Sequence, residues 1–387
     1  MKKLIPILLL ILSFQAFAQE EEEKDLKFDF KGYLKYMQTV SITHIDSNFI
    51  SDNLIHNRLQ FSAKYKKNLS AELHVRNRIF YGESVTFNPF YADMMAIDTG
   101  LVDASFLIAD KPSFFILSQI DRAFVNYRYK KWEFTAGRQR INWGQTFVWN
   151  PNDLFNSYSW FDFDYEEKPG ADAVRVQYFT GNTGRLEVAA AMDSAQRLTA
   201  AALWLFNKKQ FDIQLSSGIY KSNDLTFGLG FTGNVLMGSL RGEANYFHPK
   251  DNFGDTSGVF LASLGYDYML GNGTMFQVEA LYNQEGLTNG NFNISSFYNM
   301  NLSAKNLSIS RWSYFVNTLR PLIPLMYAQL GVMYYPGISS FFAGPGITVS
   351  VSQNVDFMLM AYHFREFAPS NGTNRFTMIF GRFGWHF

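Results

Sequence analysis

A chain of 387 residues with 34 basic and 34 acidic side chains has no net charge, which excludes bulk attraction to nucleic acid as an organising force. The complete lack of cysteine excludes a disulfide scaffold, a lipoprotein anchor and thiolate metal sites. Aromatic residues nevertheless make up 17%, with 39 phenylalanines, and little of the chain shows helical periodicity.

In chain order, Lys2 and Lys3, the apolar run 4–14 and the small-residue site Ala16-Phe17-Ala18 predict a cleavable secretory signal peptide over 1–18. Residues 19–26, with Glu20–Glu23, read as a solvated acidic tail. From Lys27 onward the pattern is two-residue alternation. Strand cores are expected at 28–43, 53–65, 70–81, 115–129, 132–141, 171–179, 185–192, 197–206, 210–220, 224–232, 238–247, 258–268, 274–283, 311–319, 326–335, 342–350, 355–364 and 375–387. Short turns alternate with longer connections, the longest being 82–113, 142–170 and 285–308. The short–long rhythm predicts an all-β chain: a transmembrane up-and-down antiparallel β-barrel over 27–387, of about eighteen strands, or sixteen if one pair is misread. Aromatic girdles at both membrane interfaces account for the composition. An even strand number puts both ends on the periplasmic side. The 82–113 loop, with Met94, Met95, Leu101 and Phe106, is expected to hold a short helix. Terminal Phe387 closes the last amphipathic strand and resembles the signal read by the outer-membrane barrel-assembly machinery.

Alternation also assigns faces. Leu225, Phe227, Leu229 and Phe231 face lipid, and Thr226, Gly228, Gly230 and Thr232 face in. Arg58, His74, Arg76, Arg78, Arg122, Arg128 and Arg175 fall on inward positions. Arg138 and Arg140 join this basic wall only if the register changes, most cheaply at Gly137. Otherwise both point at lipid, at roughly 2–4 kcal/mol each near the midplane. The later strands place Asp212, Glu243, Asp267 and Glu279 inward, an opposite, mildly acidic wall. Walls of unlike charge across a wet lumen focus a transverse field. The bland alternative is that these charges pair and plug the lumen.

The connection 142–170 carries Trp143, Phe147, Trp149, Asp153, Phe155 and Trp160. So many aromatics are a liability on an outer surface, so the loop is expected to fold into the lumen as a constriction. There it either stacks on passing solutes or acts as an anchored mini-core that sets the width.

The run Gly137-Arg138-Gln139-Arg140-Ile141-Asn142-Trp143-Gly144-Gln145, followed by Trp149-Asn150-Pro151-Asn152-Asp153-Leu154-Phe155-Asn156, resembles a strand end and pore loop of porin-like Gram-negative outer-membrane barrels. These include the phosphate-selective porin O/P type and related uncharacterised barrel families. The resemblance implies a passive channel with Arg138 and Arg140 at the lumen wall. The loop has no lysine cluster that would single out phosphate.

The expected function is an outer-membrane channel for passive diffusion of small polar or anionic solutes, with no enzyme activity, cofactor, metal or nucleic-acid partner. Its expected partners are outer-membrane lipid, the solute, and the assembly machinery during biogenesis. A barrel scaffold or exporter component of an envelope complex is the alternative. An outer-membrane lipid hydrolase ranks below it: His56 and His74 share a wall, but no G-x-S-x-G or H-E-x-x-H is present.

Overall fold

The computed structural model describes residues 25–42, 49–156, 169–181, 183–251, 253–290, 303–367 and 375–387. The signal peptide, the acidic run Glu20–Glu23 and Trp160 lie outside the described residues. No described helix is long and apolar enough to cross a membrane, which says nothing about a β-barrel.

The strands are β1 (Leu26–Ile42), β2 (Ile50–Tyr65), β3 (Leu69–Gly82), β4 (Ser105–Lys111), β5 (Phe114–Tyr129), β6 (Trp132–Gln139) and β7 (Ala171–Phe179). They continue as β8 (Arg185–Met192), β9 (Leu198–Lys208), β10 (Phe211–Tyr220), β11 (Asp224–Val235), β12 (Gly238–Pro249) and β13 (Val259–Met269). The last are β14 (Met275–Asn283), β15 (Trp312–Ile323), β16 (Met326–Tyr335), β17 (Ser340–Ser352), β18 (Val355–Glu366) and β19 (Arg375–His386). All strand pairs are antiparallel. Sequence neighbours pair throughout, except that β3 pairs with β5, and β19 returns to β1. The result is a closed ring of eighteen strands, to which β4 is added by pairing with β5 alone. Closure leaves no unpaired strand edge in the ring.

The closing seam is held at its end by Phe387, which exchanges two backbone hydrogen bonds with Gly32. Its ring lies over that glycine, where a Cβ would collide. Tight turns, the start of β1 and the end of β19 gather at one end, here the turn end. The longer connections gather at the other, the loop end, although short turns occur there too, as at 221–223.

Lipid-type faces are exposed and apolar: Phe227, Leu229, Leu264, Val278 and Val316 all stand out from the wall. Two rows of aromatics in ring contact frame them. Trp132, Phe134 and Tyr178 mark the turn end, and Tyr282, Trp312 and Tyr314 the loop end.

Alternation predicts inner positions that are polar or small. At the loop end they are apolar instead, with Tyr220, Phe247, Leu261, Leu281, Phe315, Met333, Phe342 and Tyr362 buried inward. Loop segments pack onto them, among them Trp149, Ala304 and Leu307. An inner position covered by protein no longer meets water, so it takes the composition of a core.

The 82–113 connection forms two short helices, α1 (Glu83–Phe87) and α2 (Tyr91–Ala96), and then β4. Tyr91 packs edge-on against Phe115, its ring 5.6 Å away. Phe115 and Leu117 point inward because a bulge at Asp121 reverses the phase of β5. β6 pairs with β5 only from Ala123 down, and β4 takes the same edge from Gln119 up. So β4 replaces β6 where β6 leaves the wall.

Below β4, the segment 98–104 bridges to the β8–β9 turn. Gly100 pairs with Asp193, and the Ser194 N–H donates to the Thr99 carbonyl. Burial alone would raise the Asp193 carboxyl. The Arg197 guanidinium and the N–H groups of Arg197 and Ala195 outweigh it and hold Asp193 below the usual carboxylate range. A depressed folded value means this stabilisation is complete above the ordinary aspartate range and is lost as pH falls through the depressed value. The protection factor of the Ser194 amide, its exchange rate relative to a free amide at the same pH, is therefore expected to fall in acid before the strands loosen. A protection factor that stays flat down to strand unfolding would contradict it.

Candidate functional site

The site is a loop held across the barrel by three buried glutamates, facing a basic wall. After β6 the chain turns inward at Arg140, which is exposed, and residues 141–156 fold into the lumen. Asn156 closes the base of this loop, accepting from the Ile141 N–H at 2.9 Å and donating to the Pro169 carbonyl at 2.7 Å.

Glu279 on β14 accepts the consecutive N–H groups of Phe147, Val148 and Trp149 at 2.8, 2.9 and 2.9 Å, and the Ser263 hydroxyl at 2.8 Å. Glu243 on β12 accepts the N–H groups of Gln145, Thr146 and Asn152. Glu187 on β8 accepts the Trp143 indole N–H at 2.8 Å and also holds Arg175, Arg185 and Gln177. Both Glu243 and Glu279 are only 3% exposed. A carboxylate fed by several backbone donors is a strong, directional anchor.

The wall makes room for the loop with glycines. A Cβ at Gly228 would strike Asn152, and one at Gly265 would press on the Phe147 ring. This accounts for the mid-strand G-x-G at 228–230. Asn152 uses the gap to reach the Leu229 carbonyl, and Asn245 holds Pro151 and Asn152 from the next strand. The loop's aromatics form a mini-core: Trp143 is 1% exposed and sits edge-on to Phe155, while Trp149 and Asp153 are buried. Phe147 and Phe155 are partly open, and Phe147 lies under the Arg241 guanidinium at 4.3 Å.

The expected acidic wall is thus distributed differently. Glu243 and Glu279 hold the loop, Asp267 pairs with Arg241, and Asp212 accepts from Asn207 at the turn end. Glu187 was not singled out as a site residue. Its inward position was legible, but its indole partner was not.

On the basic side, the ladders set His56, Arg58, His74, Arg76 and Arg78 on neighbouring inward positions of β2 and β3. Arg122 on β5 lies opposite His74. The bulge residue Asp121 pairs with Arg58 and sits inside the group. Lys35 on β1 and Arg382 on β19 extend it, both buried and both missed by the sequence reading. Each shares an inward face with apolar neighbours, Tyr33 and Met37 for Lys35 and Phe380 for Arg382, which masked the signal. Arg128 is exposed at the turn end, paired with Glu133. Arg175 is held by Glu187. In a ring of eighteen strands, β2 and β12 stand nine positions apart, so the basic group lies diametrically across from Glu243 and the loop.

Arg138 lies elsewhere. Gly137 has a left-handed φ of 115°, yet the β5–β6 and β6–β7 ladders run through it without a shift. Arg138 therefore stays on the face of Phe134, opposite Ala123 and Asp172. It is buried although it stands on the outer face, because the segment 98–104 closes over it. Its guanidinium donates to Asp172 at 2.8 and 2.9 Å, to Asp98 at 2.7 Å, and to the carbonyls of Val102 and Ile120. It is a seam residue of the wall.

No protein-family model and no curated protein matches the sequence. Solved structures do match. OpdQ of Pseudomonas aeruginosa superposes with a TM-score of 0.58 at 9% identity, over 93% of this chain and 99% of that one. OccAB4 of Acinetobacter baumannii gives 0.57 at 10% identity, over 95% and 100%. The outer membrane channel DcaP of Acinetobacter baumannii gives 0.50 at 12% identity, over 96% and 100%. This chain shares their fold. At such identities the likeness is one of architecture. The resemblance to phosphate-selective porins rests on residues 137–156, with no family model beside it.

Proposed function

We propose that this chain is an outer-membrane channel for passive diffusion of small polar or anionic solutes. The observation that carries the reading is the arrangement inside the barrel. A loop is anchored on one side by buried carboxylates that accept its own backbone N–H groups and are covered by it, and a group rich in arginine stands on the other. With those carboxylates covered by the loop, the arginine group lines the facing wall, and its local positive potential favours anions in a low-dielectric tube. The shared fold with a solved outer-membrane channel supports the location. The predicted signal peptide and terminal Phe387 fit export and assembly by the barrel-assembly machinery.

Liposome swelling tests the reading. Vesicles containing the protein should admit small carboxylates faster than amines of equal size. The double variant Arg76→Gln/Arg78→Gln should reduce that preference several-fold while leaving neutral solutes little changed. Equal rates for both charges would oppose it. The second reading, a closed scaffold barrel in an envelope complex, is favoured by one observation, the apolar inner face at the loop end. It predicts no swelling with any solute.

A further inference from the structure

On the outward faces of the eighteen ring strands, charged side chains occur at two places at the loop end among the described residues. The first is Arg138 with its aspartates. The second is Arg365 on β18 and Arg375 on β19, which stand directly opposite each other in the ladder. Both are exposed, while their neighbours Phe364 and Glu366 are buried inward and Phe376 packs on the core. Like charges directly opposite in a ladder repel. No carboxylate pairs with either among the described residues, and the nearest in sequence, Glu366, faces the interior.

The surroundings fit a lipid interface. The same cross-strand row runs through Phe341, Tyr334 and Tyr314, the loop-end aromatics. The Arg365 guanidinium lies 5.5 Å from the Phe367 ring, which stacks on Phe341. Just inside this row, the His363 ring and the Thr377 hydroxyl are 2.9 Å apart, adding polar groups on the same face. Toward the turn end the face becomes apolar, with Ile347, Leu359 and Ile379 exposed and open space above Gly381.

We propose that Arg365 and Arg375 form a binding site for the phosphate of an outer-leaflet lipid headgroup, whose acyl chains run along Ile347, Leu359 and Ile379. Guanidinium forks match phosphate oxygens, and one anion between them removes the repulsion. The aromatic row sets the depth at which headgroups lie. The inference rests on the outer-membrane reading above.

The test compares wild type with Arg365→Gln/Arg375→Gln, each extracted from outer membranes in mild detergent. Heat-modifiable migration reports the folded barrel, and native mass spectrometry reports bound phosphorylated lipid. Wild type should retain it, and the double variant about twenty-five-fold less, from roughly fivefold per guanidinium near an anionic surface. Equal retention in two folded barrels would overturn the site. So would displacement from wild type by inorganic phosphate alone, which would mean a free-phosphate site. If the variant does not fold, wild type in phosphatidylcholine vesicles, with or without diphosphoryl lipid A, decides. An unchanged melting temperature overturns the proposal, and a raised one supports it. A wild-type chain absent from the outer membrane would instead sink the location reading.

Discussion

Glu279→Ala is expected to convert a steady channel into a wider and noisier one. The substitution strips the acceptor from three consecutive loop N–H groups and from Ser263. Each buried donor left unmatched costs roughly 1–3 kcal/mol, so the stretch 147–149 cannot stay seated against the wall. It should lift away, carrying Trp149 from its packing against Phe315. Single-channel traces should show larger mean current and greater variance, and limited proteolysis should now cut within 141–156. Glu279→Gln should fall between, because the amide keeps one acceptor oxygen but turns a donor toward backbone donors. Glu243→Ala should act the same way through Gln145, Thr146 and Asn152. A quiet trace and a protease-resistant loop in Glu279→Ala would show that the carboxylate is not the anchor.

Arg138→Ala is expected to destabilise the barrel without the selectivity change that a lumen residue would give. The guanidinium, 9% exposed, joins Asp98, Asp172 and the Val102 and Ile120 carbonyls, and so ties the 98–104 segment to β5 and β7. Removing it leaves two partly buried carboxylates facing each other, a change that costs about 3–5 kcal/mol in buried networks. The urea midpoint should fall accordingly. Arg138→Lys should rescue little, since an ammonium cannot fork across two carboxylates and two carbonyls. Adding Asp172→Asn to Arg138→Ala should recover part of the loss. A normal midpoint together with altered ion selectivity would place Arg138 back in the lumen.

The ring of eighteen strands was legible because each strand carries its two faces in a two-residue period, and eight tight turns punctuate them. β4 was not legible. Phe106-Leu107-Ile108-Ala109 is a continuous apolar run with no alternation, and its place depends on β6 ending early. Arg138 shows a different limit. Alternation put it on the outer face, and the cost of a charge in lipid argued for moving it inward. The segment that shelters it lies far upstream and is tied on by Asp98, a contact no local pattern announces. For Glu243 and Glu279 the inward position was readable from the pleat. Their role was not, because it depends on donors of the loop backbone, and every residue except proline carries such a donor. The aromatic loop's infolding was expected from the liability of exposed rings. Gly228 and Gly230 were legible only as inward positions, and Gly265 not at all, because what occupies the space they leave is the distant loop.

The most direct test of the central claim is the reversal potential of single channels in a planar bilayer under a salt gradient. A steady conductance with anion preference, reduced in Arg76→Gln/Arg78→Gln and unaltered in sign by Arg138→Lys, is the predicted result. A folded barrel that passes no current, or one that prefers cations, would contradict a passive channel built on a basic wall.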